Sequence, residues 1–347
     1  MLIEQKERGI KMKIRLKDIA EMAGVSLTAV SLVLNNKPSR ISQEKKDEII
    51  DIAKKYNYIP NYHAKSLATR TSNIIGIIVP NIENPFFASL VKLCQQRLLE
   101  LGYMTLIMNS NDQKENDIKF IEKLNQFSID GLIIVFSNHI LFDHLELKNV
   151  LDKITCPYIV IDRSTGISNH KQVSFDDFHG GYLATRHLIK LGHKNIGALM
   201  ANNTLISSKN RHKGYLKALS EYGLKPRADF YVETKITFED GYKNSEILFT
   251  KKKISAIFAV NDLVALGSMK KAKELSIKVP EEISIIGYDN LIFNNYIETT
   301  LSSVQQDIDL LVENSIQLLL DNKSEQIVIK PSLKLGQSTS INTKSGS

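Results

Sequence analysis

The chain has 347 residues, of which 43% are hydrophobic and 24% are charged, and this composition is typical of a globular protein with two or three domains. No apolar run approaches the roughly 20 residues of a membrane-spanning helix, and the charged start lacks the apolar segment of a secretory signal. We therefore expect a cytoplasmic protein without a membrane partner. Residues 1–70 carry 14 Lys/Arg and 8 Asp/Glu, whereas the other residues carry 31 and 30. This asymmetry predicts a polyanionic partner for the first segment, with a solvated basic tail as the alternative.

Residues 14–60 have the pattern of three short helices. The apolar residues of "LKDIAEMAG" recur at helical spacing until Gly24, which ends the run. Ser26 then caps "LTAVSLVLNN", and Ser42 opens a third helix through "EKKDEIIDIAKKYNY". Two short helices joined by a tight glycine turn predict a helix-turn-helix.

Residues 61–73 form the predicted boundary between this module and the rest of the chain. Pro60 breaks the third helix, and "NYHAKSLATRTSN" is short, basic and weakly amphipathic. An isolated helix of about eight residues is marginal in water. We expect this segment to become helical only when a partner holds it.

From residue 74 to residue 336, apolar runs alternate with helical stretches. The runs are continuous, as in strands covered on both faces, and they predict parallel sheets built from βαβ units. They are "IIGIIVP", "YMTLIMN", "DGLIIVF", "YIVID", "NIGALM", "AIFAV" and "ISIIGYD". About 260 residues of this pattern suffice for two lobes. The polar end, residues 337–347, is predicted to be disordered.

No catalytic motif stands out in the sequence. There is no glycine-rich nucleotide loop, no metal-binding histidine motif and no nucleophile elbow. Cys94 and Cys156 lie in apolar surroundings without metal-ligand spacing, which favours free buried thiols. We therefore predict a binding protein with no cofactor and no metal. An α/β enzyme that uses Asp162 or Asp289 as a base remains the alternative.

The stretch "LKDIAEMAGVSLTAVSLVLNN", followed by "YIPNYHAKSLATR" and a parallel α/β body, resembles the LacI/GalR family of bacterial transcription regulators. The resemblance covers residues 14–336. It implies an α/β protein in which a helix-turn-helix domain and a hinge helix precede a two-lobed core like that of periplasmic binding proteins. It also implies a homodimer that binds double-stranded operator DNA, with an affinity set by a small effector in the core.

The resemblance divides residues 74–336 between the two lobes. The first lobe is expected to comprise about 74–175 and 307–325. The second lobe is expected to comprise about 176–306 and 326–336.

The resemblance assigns DNA contacts to the second helix and to the hinge. Base-reading side chains fall at Leu27, Thr28 and Leu32, and phosphate contacts fall at Ser26, Ser31 and Asn35. Most relatives have arginine where this chain has Leu32, so this residue can meet only an apolar feature such as a thymine methyl group, or pack in the helix core. In the hinge, Leu67 matches the leucine that wedges into the minor groove, and Ala64 and Lys65 share its helix.

The resemblance also implies an effector site at the carboxyl ends of the strands. The core is most similar to the ribose-binding members of this group, and D-ribose is the first choice of effector. Aromatic rings would cover the C–H face of the sugar, while amides, carboxylates and guanidinium groups would bind its hydroxyls. The expected residues are Asn84, Phe86, Phe87, Asp162, Arg163, Arg211, Phe238, Asn261, Asp289 and Gln306.

Three other functions remain open at this stage. The core alone would suit a solute-binding protein, although the basic three-helix module does not. Another sugar or a nucleoside would suit a similar cavity. A phosphorylated protein is the effector of some relatives and could be a corepressor here.

Overall fold

The computed structural model describes residues 14–58, 71–168, 170–201, 205–251, 253–321 and 324–343. The chain divides into two compact units, and the boundary lies between Ser72 and Asn73. The predicted hinge residues Ala64, Lys65 and Leu67 lie outside the described residues. No helix in the described ranges has the length and apolar character needed to cross a membrane.

The described part of the first unit, residues 14–58 and 71–72, contains a bundle of three helices, as the sequence predicts. They are α1 (Leu16–Ala23), α2 (Leu27–Leu34) and α3 (Gln43–Lys55). Gly24 ends α1 with a left-handed φ of 62°, a conformation that glycine adopts without strain, and Ser26 caps α2 by accepting a hydrogen bond from the Ala29 amide at 3.2 Å. Buried apolar residues such as Ile19 and Ile49 join the helices.

The second unit contains two six-stranded sheets, each at the centre of one lobe. The first sheet has the order β11 (Gln326–Ile329), β5 (Gln172–Phe175), β4 (Tyr158–Asp162), β3 (Gly131–Ile134), β1 (Ile74–Val79) and β2 (Met104–Asn109). The second has the order β12 (Ser332–Lys334), β10 (Ser302–Gln305), β9 (Ser284–Asp289), β8 (Ala256–Ala259), β6 (Ile196–Ala201) and β7 (Tyr231–Thr234). All pairs are parallel except β10–β12. This arrangement agrees with the predicted fold class.

Helices cover the faces of the sheets. They are α4 (Pro85–Glu100), α5 (Lys114–Gln126), α6 (His144–Asp152), α7 (Asp177–Lys190), α8 (Ile206–Glu221), α9 (Phe238–Phe249), α10 (Asp262–Glu274) and α11 (Ile308–Leu320). Helices α7 and α8 approach closely because Gly181 and Gly214 carry no side chain at their crossing. Cys94 is buried on α4 and Cys156 is half-buried, both as free thiols.

The last crossing between the lobes differs from the expectation. Strand β11 pairs with β5 in register Ile329 with Phe175, so residues 326–329 belong to the first sheet. The expected second-lobe segment 326–336 therefore begins only after Ile329, with β12 pairing against β10. Strand β11 is a short edge strand with two exposed positions, and its sequence alone does not choose between the sheets.

Residues 337–343 are ordered, which corrects the prediction of a disordered tail. Ser338 is buried, and its hydroxyl donates to the Ile285 carbonyl at 2.6 Å and accepts from the Ser302 amide at 2.8 Å. The Asn342 amide donates to the Leu191 carbonyl. The polar composition of this segment suggested disorder, whereas its side chains bind the backbone of the second lobe. Residues 344–347 lie outside the described ranges.

Candidate effector cavity and DNA-reading helix

One cavity in the second unit collects nine of the ten predicted effector residues. It is lined by Asn84, Phe86, Phe87, Asp162, Arg163, Arg211, Asn261, Asp289 and Gln306, together with Leu205, Ser207, Ser208, Ile236 and Val260. Asn84 follows β1 and Asp162 ends β4 in the first sheet, whereas Asn261 follows β8 and Asp289 ends β9 in the second. The cavity therefore lies between the lobes, at the carboxyl ends of parallel strands.

Phe86 and Phe87 have two roles in this arrangement. Both are at least 95% buried and belong to the core cluster of the first lobe, where they start the inner face of α4. Their rings meet edge to face, with centroids 5.2 Å apart, and both also line the cavity. The two phenylalanines therefore pack in the core of the first lobe and also form part of the cavity wall.

Two amides reach the cavity with their oxygen atoms already engaged. Asn84 Oδ1 accepts from the Phe86 amide at 3.0 Å and caps α4, while Asn261 Oδ1 accepts from the Val264 amide at 2.9 Å and caps α10. Asn261 Nδ2 also donates to the Ile236 carbonyl at 3.2 Å. The hydrogen-bonding groups of Asn84 and Asn261 that remain available to a ligand are mainly N–H donors.

Two guanidinium groups are held in place by hydrogen bonds to protein groups. Arg163 donates to Asp112 Oδ1 at 2.6 Å and to the Phe136 carbonyl at 2.8 Å. Arg211 donates through Nε to Asp177 Oδ1 at 2.8 Å and through Nη1 to the Val260 carbonyl at 2.7 Å. Both arginines are buried, and these contacts fix their position before any ligand enters.

The carboxylates of Asp162 and Asp289 face each other across the cavity from the two lobes. Burial raises the pKa of Asp162 to about 7, against the opposing effect of Arg163. Burial also raises the pKa of Asp289 well above its usual range, although Arg211 Nη1 lies 3.7 Å from its Oδ1. Both residues have positive φ, 66° and 105°, which is uncommon for side chains of this kind and typical of functional sites.

Phe238 is the predicted residue that does not line the cavity. It is the first residue of α9, which Thr237 caps by accepting from the Asp240 amide, and its ring is half-buried. The loop after β7 contributes Ile236 instead. A shift of two residues in a short loop changes which side chain enters the cavity, and the sequence pattern does not resolve that shift.

Four further lining residues beside Ile236 were not predicted. Leu205, Ser207 and Ser208 lie at the start of α8, beyond strand β6, and Val260 directly follows β8. For Val260, the sequence signal was its position at the end of the apolar run "AIFAV". Leu205, Ser207 and Ser208 lie five to eight positions beyond the run "NIGALM", so the sequence gives a weaker signal for them. Ser208 donates its hydroxyl proton to the Ala201 carbonyl at 3.0 Å, so it offers an acceptor to a ligand.

The cavity offers about 50 Å³ to the centres of water-sized molecules, which is room for several waters, because one water needs roughly 10–15 Å³ on this measure.

Leu27, Thr28, Ser31 and Leu32 lie on one face of α2, and the predicted contact residues Ser26 and Asn35 cap its two ends. Leu27 is 50% exposed, Thr28 and Ser26 are exposed, and Ser31, Leu32 and Asn35 are half-buried. Val30 and Val33 point to the opposite side and are buried in the three-helix core. This division leaves a solvent-facing surface on the second helix of the helix-turn-helix.

A helix-turn-helix joined to a two-lobed α/β core with an interlobe cavity defines a DNA-binding regulator of the effector-controlled class. Residues 15–61 match the bacterial regulatory proteins of the lacI family, and residues 72–329 match the periplasmic binding proteins and sugar-binding domain of the LacI family. The chain belongs to the LacI family of transcription regulators.

Curated relatives agree over nearly the whole length. The HTH-type transcriptional regulator DegA of Bacillus subtilis (strain 168) is 32% identical over 96% of this chain and 100% of its own. The HTH-type transcriptional repressor PurR of Mannheimia succiniciproducens is 32% identical over 93% of this chain and 98% of its own. These relatives are regulators and not enzymes, and their names differ from the ribose repressors that the sequence suggested.

Solved structures show the same architecture. The lac repressor dimer bound to operator and the anti-inducer ONPF is 25% identical, with a TM-score of 0.85, and the match covers 95% of this chain and 100% of that one. A LacI family regulator from Enterococcus faecium with bound ribose is 30% identical, with a TM-score of 0.69, over 78% of this chain and 100% of that one.

Proposed function

We propose that this protein is a repressor whose operator affinity is controlled by a small sugar in the interlobe cavity, with D-ribose as the first choice. The observation that carries the proposal is the cavity lining, which combines two phenylalanine rings, three amide side chains, two arginines and two carboxyl groups. The ribose bound to the regulator from Enterococcus faecium, which is 30% identical to this chain, supports the choice of sugar.

The lining suits a polyol because a hydroxyl group both donates and accepts hydrogen bonds. Asn84 and Asn261 offer N–H groups, whereas Asp162 and Asp289 offer carboxylate oxygens. Phe86 and Phe87 provide apolar surface for the C–H face of a ring. A ligand of this kind satisfies the buried polar groups, whose unpaired burial is costly.

Control of DNA binding follows from the division of the lining between the lobes. Asp162 and Arg163 follow β4 in the first lobe, while Arg211 and Asp289 belong to the second. A sugar held by both sets binds most tightly when the lobes are closed on it, and it shifts the population toward that state. In a dimer, this movement changes the separation of the two chains where they leave the first lobes, and the paired hinge segments then lose their fit to the operator.

The proposed assembly is a homodimer, as in the lac repressor structure. Several exposed apolar side chains of the second unit are available for such an interface. On the segment after β9, Ile292 is 59% exposed and Tyr296 is 75% exposed, and Phe293 lies between them. Burial of such a patch favours association.

The test measures effector binding and DNA binding on the full chain. A panel of D-ribose, other pentoses, hexoses, ribonucleosides and purine bases is screened by thermal shift, since a ligand stabilises the fold by about 2.7 kcal/mol at 100 times its Kd. An operator is recovered by selection from random duplex DNA, and its affinity is measured with and without each hit. Stabilisation by ribose together with a change in operator affinity supports the proposal.

Other outcomes separate the alternatives. Stabilisation by a different sugar or by a nucleoside keeps the regulator and replaces the effector. A different outcome is that no small molecule stabilises the protein, whereas a phosphorylated protein changes its operator affinity. That outcome would identify a protein corepressor as the effector. Failure to recover any preferred DNA sequence would contradict the proposal that the protein is a repressor.

A further inference from the structure

Helix α2 has two faces of different character. At 100° per residue, Val30 and Val33 fall on the face buried in the three-helix core. Leu27, Thr28 and Leu32 fall on the other face, together with Ser31 and Asn35. The exposed face of a DNA-reading helix is the one that meets base edges in the major groove.

Among the described residues 14–58 and 71–72 of this unit, neither leucine on this face belongs to the apolar core. Leu27 is 50% exposed. Leu32 is half-buried, yet it is absent from the apolar residues that pack on the core of the three helices, whereas its neighbour Leu34 is among them. Scattered exposed leucines are ordinary, but here two of them share the surface that family members present to DNA.

The polar side chains of this face offer few contacts that read bases. Ser26 Oγ accepts from the Ala29 amide at 3.2 Å, and Asn35 Nδ2 donates to the Ser31 carbonyl at 2.8 Å, so both are partly used within the helix. Residues 27–36 contain no charged residue and no glutamine. The bidentate donors that recognise guanine are therefore missing from α2.

We propose that Leu27 and Leu32 read the C5-methyl groups of thymines, and that thymine is specified at the base pairs these two residues face in each operator half-site. Thymine is the base whose major-groove edge carries an apolar group, and it is the feature that a leucine can recognise. Thr28, which is exposed between them, contributes a hydroxyl that accepts more than one base. The inference rests on the family's DNA binding and concerns which chemical group on the DNA is read.

The affinity of this interface follows from the same surface. A buried methyl group contributes much less than a bidentate hydrogen-bonded pair. We therefore expect modest discrimination per base pair, with phosphate contacts providing most of the affinity.

The experiment removes the methyl group without changing base pairing. In the operator recovered by selection, each thymine of one half-site is replaced singly by deoxyuridine, which lacks only the C5-methyl group. We expect the full-length protein to bind about 3- to 5-fold more weakly at the thymines that the leucines face, and unchanged at the others.

Protein variants connect each effect to its residue. Leu27→Ala and Leu32→Ala should each bind the thymine operator more weakly and lose the deoxyuridine effect at one position. Leu32→Arg should shift the preference at its position from thymine toward guanine. Leu145→Ala is the matched control, because Leu145 is 71% exposed on α6 of the other unit and should keep the full deoxyuridine effect. Equal thermal midpoints verify that the variants are folded.

Two outcomes would overturn the inference. One is an operator whose affinity ignores deoxyuridine at every position of the half-site. The other is a pair of leucine variants that weaken thymine and deoxyuridine operators equally. Both leave sequence-specific binding intact, so they differ from failure of the proposed function, in which no preferred sequence is recovered at all.

Discussion

Arg211 and Asp177 form a buried ion pair that joins α8 to the first residue of α7. The Arg211 Nε atom lies 2.8 Å from Asp177 Oδ1, and the guanidinium carbon lies 3.5 Å from the centroid of the Tyr288 ring. Because Asp177 and the Val260 carbonyl occupy two of the Arg211 donors, the guanidinium is fixed without Asp289, whose oxygen is 3.7 Å away. The Asp289 carboxyl group remains in ionic contact with Arg211 and lines the cavity, where a ligand can reach it.

Replacement of Asp289 by alanine should abolish the response to ribose and leave operator binding intact, which gives a permanently repressing protein. The carboxylate is at the end of β9, 7% exposed, and remote in sequence from the three-helix unit. The measurement is operator affinity over a ribose titration. Glu298→Ala, at an exposed acidic residue, is the control and should respond normally. An unchanged dose curve for Asp289→Ala would contradict the sugar site.

Ribose binding should weaken as the pH falls, because burial raises the pKa of Asp162 to about 7 and sugar hydroxyls donate to the ionised form. Between pH 8 and pH 6 we expect about a 10-fold loss of affinity, measured by calorimetry. The Asp162→Asn variant should bind ribose weakly at both values. Tighter binding at pH 6 would show that the protonated carboxyl is the form that binds.

The same residue should limit stability at higher pH. A folded pKa above the unfolded value means that the folded chain holds a proton which the unfolded chain releases, so the free energy of unfolding decreases as the pH rises from about 4 to 7. Asp162→Asn should therefore unfold at a higher temperature than the parent protein at pH 8, and the difference should shrink at pH 5. Equal shifts at both values would contradict the raised pKa.

Gly181→Ala should destabilise the second lobe and disturb Arg211. A Cβ atom on Gly181 would collide with the Arg211 carbonyl oxygen at the crossing of α7 and α8, so the helices must separate. Overpacking of this kind typically costs about 1–3 kcal/mol. The free energy of unfolding, measured with a denaturant, and the ribose affinity should both decrease. Tyr182→Ala, one residue along the same helix, should have a smaller effect on both.

Operator affinity should fall steeply with salt, with a log–log slope of several units, since the positive excess lies in residues 1–70 and phosphate contacts dominate. Leu27→Ala should lower the affinity and keep the slope. A flat salt response would contradict a phosphate-dominated interface.

Leu67→Ala should weaken operator binding and leave ribose affinity unchanged, because Leu67 is the proposed minor-groove wedge and the residues that line the cavity belong to the second unit. Fluorescence measurement of DNA bending should show a smaller bend with this variant. Unaltered operator affinity would contradict the proposal that Leu67 inserts into the minor groove.

Elements whose patterns are local could be predicted from the sequence. Seven apolar runs became strands β1, β2, β3, β4, β6, β8 and β9, because they are continuous, and all except the edge strand β2 lie in the interior of the two sheets. The glycine turn at Gly24 and the serine cap at Ser26 likewise follow from the conformational preferences of single residues. Residues just beyond the strands could be assigned to one edge of the sheets from the parallel topology alone.

Features that depend on distant partners could not be predicted and became visible in the folded chain. Strands β5, β7, β10, β11 and β12 are short or polar, and three of them lie at sheet edges, so their pairing arises from neighbours and not from their own pattern. The order of residues 337–343 depends on hydrogen bonds to Ser302 and Ile285, about 36 to 53 positions earlier in the chain. Ile236 rather than Phe238 lines the cavity for the same reason: loop geometry, set by packing around it, selects the side chain.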